Sequence, residues 1–130
     1  MTALEGAASS ALILARHDSL REGLAALLKA VPVIREVYLA DGLPQVTDLG
    51  SAAAPLRLLL VDAGLLEGHL PADLAHLSKM YPEAACILLT DSREQEEAAT
   101  RAGAQAVLRK GILADQLLGH INEWLSRATG

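Results

Sequence analysis

Short apolar runs alternate along this chain with stretches of helical periodicity. The runs are Ala11–Ala15, Val33–Leu39, Arg57–Asp62, Ala84–Leu89 and Ala106–Leu108. The third, Arg57-Leu58-Leu59-Leu60-Val61-Asp62, is continuously apolar between its charged ends. That pattern predicts a strand buried on both faces in the middle of a parallel sheet. The second run carries Arg35 and Glu36 in its interior, which predicts an edge or partly exposed strand. Between the runs, Leu20, Leu24, Leu27, Leu28 and Val31 recur at helical spacing, as do Leu70, Leu74 and Leu77 with Met80 or Tyr81. Leu113, Leu117, Ile121 and Leu125, joined by Leu118 and Trp124, make the apolar side of a last helix. Leu43–Leu49 predicts a short, weak second helix, followed by Gly50 and a small-residue loop through Pro55. From Ser92 to Ala102 the only apolar residues are alanines, so the fourth helix should pack lightly and be the most exposed.

Local punctuation agrees with this division. Asp18 or Ser19 can cap the first helix, and Pro32 ends it. Ala40-Asp41-Gly42 is a turn signal, Pro71 suits a first helical turn, and Pro82 closes the helix that follows. Ser92-Arg93-Glu94-Gln95 fits a capping box, with Gly103 as the residue just past that helix. Five strands alternating with five helices predict an α/β domain, a doubly wound parallel sheet with helices on both faces. Its expected limits are 11–126, with 1–10 as a flexible lead and 127–130 as a tail or the start of a linker.

Composition narrows the classes of function. A chain of 130 residues is most simply one domain, and 52% hydrophobic residues is far above a disordered composition. Phe is absent, so Leu, Ala, Val and Ile must build the core. A formal charge of −5 argues against non-specific binding to nucleic acid or acidic membranes. No apolar run approaches the ~20 residues of a membrane span, and no basic segment precedes the first one as in a signal peptide. The single Cys86 lies inside an apolar run and reads as a small buried hydrophobe, which with no second cysteine fits a reducing cytoplasm. His69, His76 and His120 form no ligand pair, and no zinc site is expected. There is no glycine-rich phosphate loop, no nucleophile elbow and no Ser-His-acid set, so no enzyme is predicted.

In an open α/β sheet, binding and chemistry occur outside the carboxyl ends of the strands. There the chain places Ala15-Arg16-His17-Asp18, Asp62, Thr90 and Lys110. Asp62 is the first functional candidate, with a turn or helix-capping aspartate as its plain alternative. The ordered stretches Leu20-Arg21-Glu22-Gly23-Leu24, Ala40-Asp41-Gly42, Leu60-Val61-Asp62, Leu88-Leu89-Thr90 and Gly103-Ala104-Gln105-Ala106-Val107-Leu108-Arg109-Lys110 run over nearly the whole chain. Together they resemble the receiver domain of two-component response regulators, especially those with a helix-turn-helix output domain after the receiver. The resemblance implies a flavodoxin-like sheet of strand order 2-1-3-4-5. It also implies Asp62 as the phosphoacceptor equivalent, Thr90 as the hydroxyl switch residue and Lys110 as the phosphate-binding lysine.

The resemblance also implies an acidic pair that holds Mg²⁺, and that pair falls on Ala15 and Arg16. Both carboxylates are gone. Magnesium needs hard oxygen ligands, and Arg16 would repel it by ~4 kcal/mol for unit charges ~4 Å apart at an effective dielectric of ~20. Asp18 and Asp62 are the weak candidates left as metal ligands. Arg16 either pairs directly with Asp62, with Lys110 on the other side, or points into solvent. Such domains also often carry Met-Pro shortly after the acceptor and an aromatic residue in the fifth strand, where this chain has Leu65-Leu66 and Val107. Thr90 has a rival role in capping the next helix, and His17 a structural one in the loop.

The resulting expectation is a degenerate receiver, an atypical signalling and protein–protein interaction module without ordinary Mg²⁺-dependent phosphorylation. It would be the regulatory part of a transcriptional regulator and need no cofactor, Mg²⁺ entering only on the alternative reading. The alternatives are a conventional receiver phosphorylated at Asp62 by a sensor kinase, and a small-ligand-binding α/β module. The expected partner is a second copy, meeting through the fourth helix, fifth strand and fifth helix, where Arg93, Glu94, Glu96, Glu97, Arg101, Arg109 and Asp115 mix charge. Nucleic acid would be contacted only by an attached helix-turn-helix domain, and no membrane is expected.

Overall fold

The structure, a computed structural model, describes residues 9–42, 56–66, 68–112 and 114–129. Five parallel strands form one sheet: β1 (Ser9–Leu14), β2 (Ile34–Ala40), β3 (Leu56–Asp62), β4 (Ala85–Thr90) and β5 (Ala106–Arg109). Their order is β2-β1-β3-β4-β5, as the doubly wound reading requires. Four α-helices are described: α1 (Asp18–Leu28), α2 (Leu70–Met80), α3 (Arg93–Arg101) and α4 (Ala114–Thr129). A 3-10 turn, Ala63–Leu66, follows β3. The helix expected over Leu43–Leu49 lies outside the described residues, as does Leu113.

The central strands explain the sheet. In β3, Leu58 and Leu60 face one layer while Leu59 and Val61 face the other, so an unbroken apolar run fills both sides. On the first side Ile13, Leu58, Leu60 and Ile87 pack under Leu24 and Leu28 of α1 and Leu117, Ile121 and Leu125 of α4. On the second side Leu12, Leu14, Leu59, Val61 and Leu88 pack under Leu70, Leu74 and Leu77 of α2. There α3 contributes one fully buried side chain, Ala99, as its alanine-only pattern predicted. One layer is thick and the other thins toward α3.

Several boundaries differ from expectation for identifiable reasons. The lead expected over 1–10 already contains strand at Ser9 and Ser10. Both serines are buried, and the Ser9 N–H donates to the Val33 carbonyl at 2.7 Å. A backbone paired on both sides tolerates small polar side chains that an apolar pattern does not flag. At the other end α4 runs on to Thr129, through the segment expected as a tail. Asp18 does not cap α1: it is the first helical residue, His17 holds the N-cap position, and the Asp18 carboxylate pairs with Arg21. Ser92 does cap α3, accepting from the Gln95 N–H at 3.2 Å. Gln95 turns its side-chain oxygen to the Asp91 N–H instead of completing the box on Ser92. Gly103 takes φ +89°, letting the Ala104 N–H return to the Ala99 carbonyl and close the helix.

Cys86 is half-buried, its thiol pushed up to about 12 by burial, which makes it inert as a nucleophile at neutral pH. Among the described residues no helix is long and apolar enough to cross a membrane.

Leu60 is fully buried at the centre of the sheet. Leu60→Ala should lower unfolding stability by about 2–5 kcal/mol, read as a fall in the urea midpoint at unchanged m-value.

Candidate functional site at the strand ends

Parallel pairing brings the strand ends to one rim. Leu14 pairs in register with Val61, Asp62 with Leu89, and Thr90 with Arg109. The rim lies beside the β1–β3 boundary, where the strand order reverses and open α/β sheets leave a crevice.

Asp62 is 4% exposed. A carboxylate so buried needs hydrogen bonds and a counter-charge to stay ionised. The Gly64 N–H donates to Asp62 Oδ1 at 3.0 Å, an Asx-type bond across the start of the 3-10 turn. The Lys110 ammonium donates to the same oxygen, with Nζ at 2.8 Å. Glycine at 64 keeps this corner open. A Cβ there would stand 3.4 Å from Asp62 Oδ1 and 3.5 Å from Gln95 Nε2, in contact with both.

Lys110 also reaches Asp91 Oδ2 at 3.0 Å, so one ammonium joins two carboxylates. Burial works against its charge. Hydrogen bonds to Asp62 and Asp91, with the fields of the two carboxylates, outweigh that and raise its pKa above the ordinary 10.5. The backbone helps to hold it in place, since the Lys110 N–H donates to the Thr90 carbonyl at 2.9 Å. Thr90 is fully buried and sends its hydroxyl toward the Leu108 carbonyl at 3.4 Å, a long contact. It does not cap α3, because Ser92 does.

The pairing of Arg16 with Asp62, one of the two readings of the sequence, does not occur. Arg16 is exposed, and among the described residues the cation on Asp62 is Lys110 alone. Strand geometry gives the reason. Ala15 continues β1 with its N–H on the Ala40 carbonyl and its methyl group in the core, so the next side chain turns to the other side, into water. With Asp62 already paired to Lys110, burying a second cation there would cost its hydration.

Arg21 is the cation that works on the β1 loop. Its guanidinium donates to the Ala15 carbonyl at 3.1 Å and pairs with Asp18. His17 is exposed at the rim, and His69, at the start of α2, pairs with Asp73.

These residues do not fit Mg²⁺. Asp62 Oδ1 already accepts from Gly64 and Lys110, Asp91 holds the same ammonium, and Ala15 brings no side-chain ligand. The Asp18 carboxylate and the Ala15 carbonyl are both taken by Arg21. Among the described residues, no three His, Cys, Asp or Glu side chains converge.

No protein-family model matches the sequence, and neither does any curated protein. Solved structures do match. The signal receiver domain of an HD domain-containing protein from Pseudomonas fluorescens Pf-5 superposes with a TM-score of 0.77 at 22% identity, over 93% of this chain and 97% of that one. The fold is that of a receiver domain. A LuxR family DNA-binding response regulator from Silicibacter pomeroyi aligns over 91% of this chain and 92% of its own, with a TM-score of 0.72 and 24% identity. The beryllofluoride-activated NtrC4 receiver domain dimer gives 0.73 at 16% identity, over 92% and 98%. On this receiver fold Asp62, Thr90 and Lys110 stand at the ends of β3, β4 and β5.

Sequence reasoning singled out Asp62, Thr90 and Lys110 as site residues. It did not name Asp91, took Gln95 only as part of a capping box and Arg21 only as part of a matching stretch. The same rule that selected Asp62, a carboxylate where an apolar strand stops, also applies to Asp91. Nothing in the sequence distinguishes Arg21 from any solvated helix arginine.

Removing the ammonium strands a buried carboxylate. Lys110→Met should cost about 1–3 kcal/mol at neutral pH, less than a fully enclosed pair because Lys110 keeps some solvent contact. The folded-state pKa of Lys110 is raised, so its stabilisation is complete below its unfolded value and disappears as pH rises through the folded one. The stability difference between wild type and Lys110→Met, measured by urea denaturation, should therefore be flat from about pH 7 to 9 and shrink above about 10.5.

Proposed function

We propose that this domain is a degenerate receiver, a signalling module that acts through protein–protein contact and not through Mg²⁺-dependent phosphorylation. One observation carries the reading: the charge of Asp62 is met by Lys110 at 2.8 Å, with no second carboxylate at the end of β1 to help hold a metal. Phosphoryl transfer gathers negative charge between donor and acceptor, and a divalent ion normally offsets it. Here Ala15 and the exposed Arg16 offer no ligand for that ion, and Lys110 is shared with Asp91.

The resemblance to receivers that precede a helix-turn-helix domain, and the likeness to a LuxR family DNA-binding response regulator, support a place as the regulatory part of a transcriptional regulator. A second copy is the partner we assign, through α3, β5 and α4. The fold likeness to a receiver dimer supports this, as do the exposed Arg93, Glu94, Glu97, Arg101 and Asp115 on those elements. Glu96 and Arg109 are spent within the chain. They form an ion pair at 2.8 Å that holds the Glu96 carboxyl below its usual range. Sedimentation should give a dimer whose affinity falls as salt rises, and Arg101→Glu should shift it to monomer.

The retained Asp62, Thr90 and Lys110 favour one other reading, a conventional receiver phosphorylated at Asp62. Acetyl phosphate or beryllofluoride with millimolar Mg²⁺, followed by mass spectrometry and NMR, separates the two. The degenerate reading expects an unmodified mass and unshifted amides around Asp62. A stable adduct on Asp62 would overturn it. Replacing Ala15 and Arg16 together by aspartate should return Mg²⁺ binding in the millimolar range, seen as amide shifts at residues 15–18 and 62–64.

A further inference from the structure

Lys110 connects the buried acid of the rim to the start of a helix. Its ammonium is 2.8 Å from Asp62 Oδ1 and 3.0 Å from Asp91 Oδ2. The Asp91 side chain is mostly exposed, but its backbone is built into the first turn of α3. Its N–H donates to Gln95 Oε1 at 2.7 Å, and the Gln95 N–H donates to the capping hydroxyl of Ser92 at 3.2 Å. Gln95 Nε2 and Asp62 Oδ1 both border the space beside Gly64, 3.5 and 3.4 Å from where a Cβ there would stand. Asp62, Lys110, Asp91 and Gln95 thus form one continuous polar chain from the end of β3 into α3.

The helix at the far end of that chain is weakly held otherwise. Among the described residues Ala99 is its one fully buried side chain, Ala98 packs partly on the same cluster, and Glu96 forms a half-exposed pair with Arg109. The Lys110–Asp91 contact is a direct tie between this end of α3 and the strand-end rim. No aromatic side chain on β5 is available to move in response to Thr90. Val107 stands at that point and the Thr90 hydroxyl is turned toward β5 itself.

We propose that Asp91 is a positioning residue that transmits the charge on Asp62 to α3 by competing for Lys110. When the charge on Asp62 is removed, the ammonium is left to Asp91 and the turn that launches α3 tightens. When an anionic group draws the ammonium toward Asp62, Asp91 is released and the same turn loosens. The signal is the division of one cation between two acids on different elements. It rests on the reading of Asp62 as the centre of the site, and it requires neither metal nor phosphate.

Amide hydrogen exchange and ¹⁵N NMR on the full chain test it. In Asp62→Asn, protection of the α3 amides should rise several-fold, and the Asp91 and Gln95 amides should shift. In Asp91→Asn, protection of α3 should fall, and adding Asp62→Asn should leave α3 where it is, the non-additivity expected of groups in one network. An equal response of α3 to Asp62→Asn with and without Asp91 would overturn the proposal, as would no response in either background. Both substitutions preserve shape, and unchanged protection of the β1 and β3 amides checks the fold. The outcome is separable from that of the beryllofluoride experiment. An adduct with Mg²⁺ on the wild type would remove the degenerate reading while these exchange rates still decide the coupling.

Discussion

A carboxylate buried at the end of the central strand, and the lysine ammonium that reaches it, hold the rim of strand ends together. Asp62 sits where the sheet is most enclosed, because β3 is flanked on both edges and covered on both faces. An ionised acid in such a place is tolerated only with a partner. Lys110 can serve because β5 is parallel to β4, so the loop after β5 emerges on the same rim. The Gly64 N–H supplies the second bond, and the 3-10 turn after β3 brings it there.

That pairing governs what the rim can do. Asp62 Oδ1 is shared between an amide and an ammonium, and the neighbouring acids are engaged as well. Asp91 holds the same lysine and Asp18 holds Arg21. The chain's own cations thus engage each of these acids, one ammonium being shared between two of them. The pocket keeps the outline of a receiver fold, with Ala15 and Arg16 and no carboxylate at the end of β1.

The two faces of the sheet are not equivalent. α1 and α4 bring leucines and isoleucine onto the first face, whereas α3 brings one buried alanine onto the second. A helix with so little apolar contact depends more on its polar ties, among them Asp91 to Lys110 and Glu96 to Arg109. A helix lightly held by the core is thus tied to the rim through Asp91 and Lys110.

The sequence by itself determined the five strands and the four helices that the structure describes. The unbroken apolar run of β3 marked the centre of the sheet, the charged interior of the second run marked its edge, and alanines alone marked α3 as thinly packed. These follow from periodicity and burial, which are properties of neighbours along the chain. The rim residues Asp62, Thr90 and Lys110 were legible too, because strands that stop on polar residues must place them at one end. Only the tertiary structure decided which cation meets Asp62. Arg16 and Lys110 are equally charged, but the core side of β1 claims Ala15 and turns Arg16 to water, while the bond from the Lys110 N–H to Thr90 fixes Lys110 beside the acid. Side-chain direction at a strand end is set by what packs beneath and across the sheet, and a contact between residues 48 positions apart leaves no local trace.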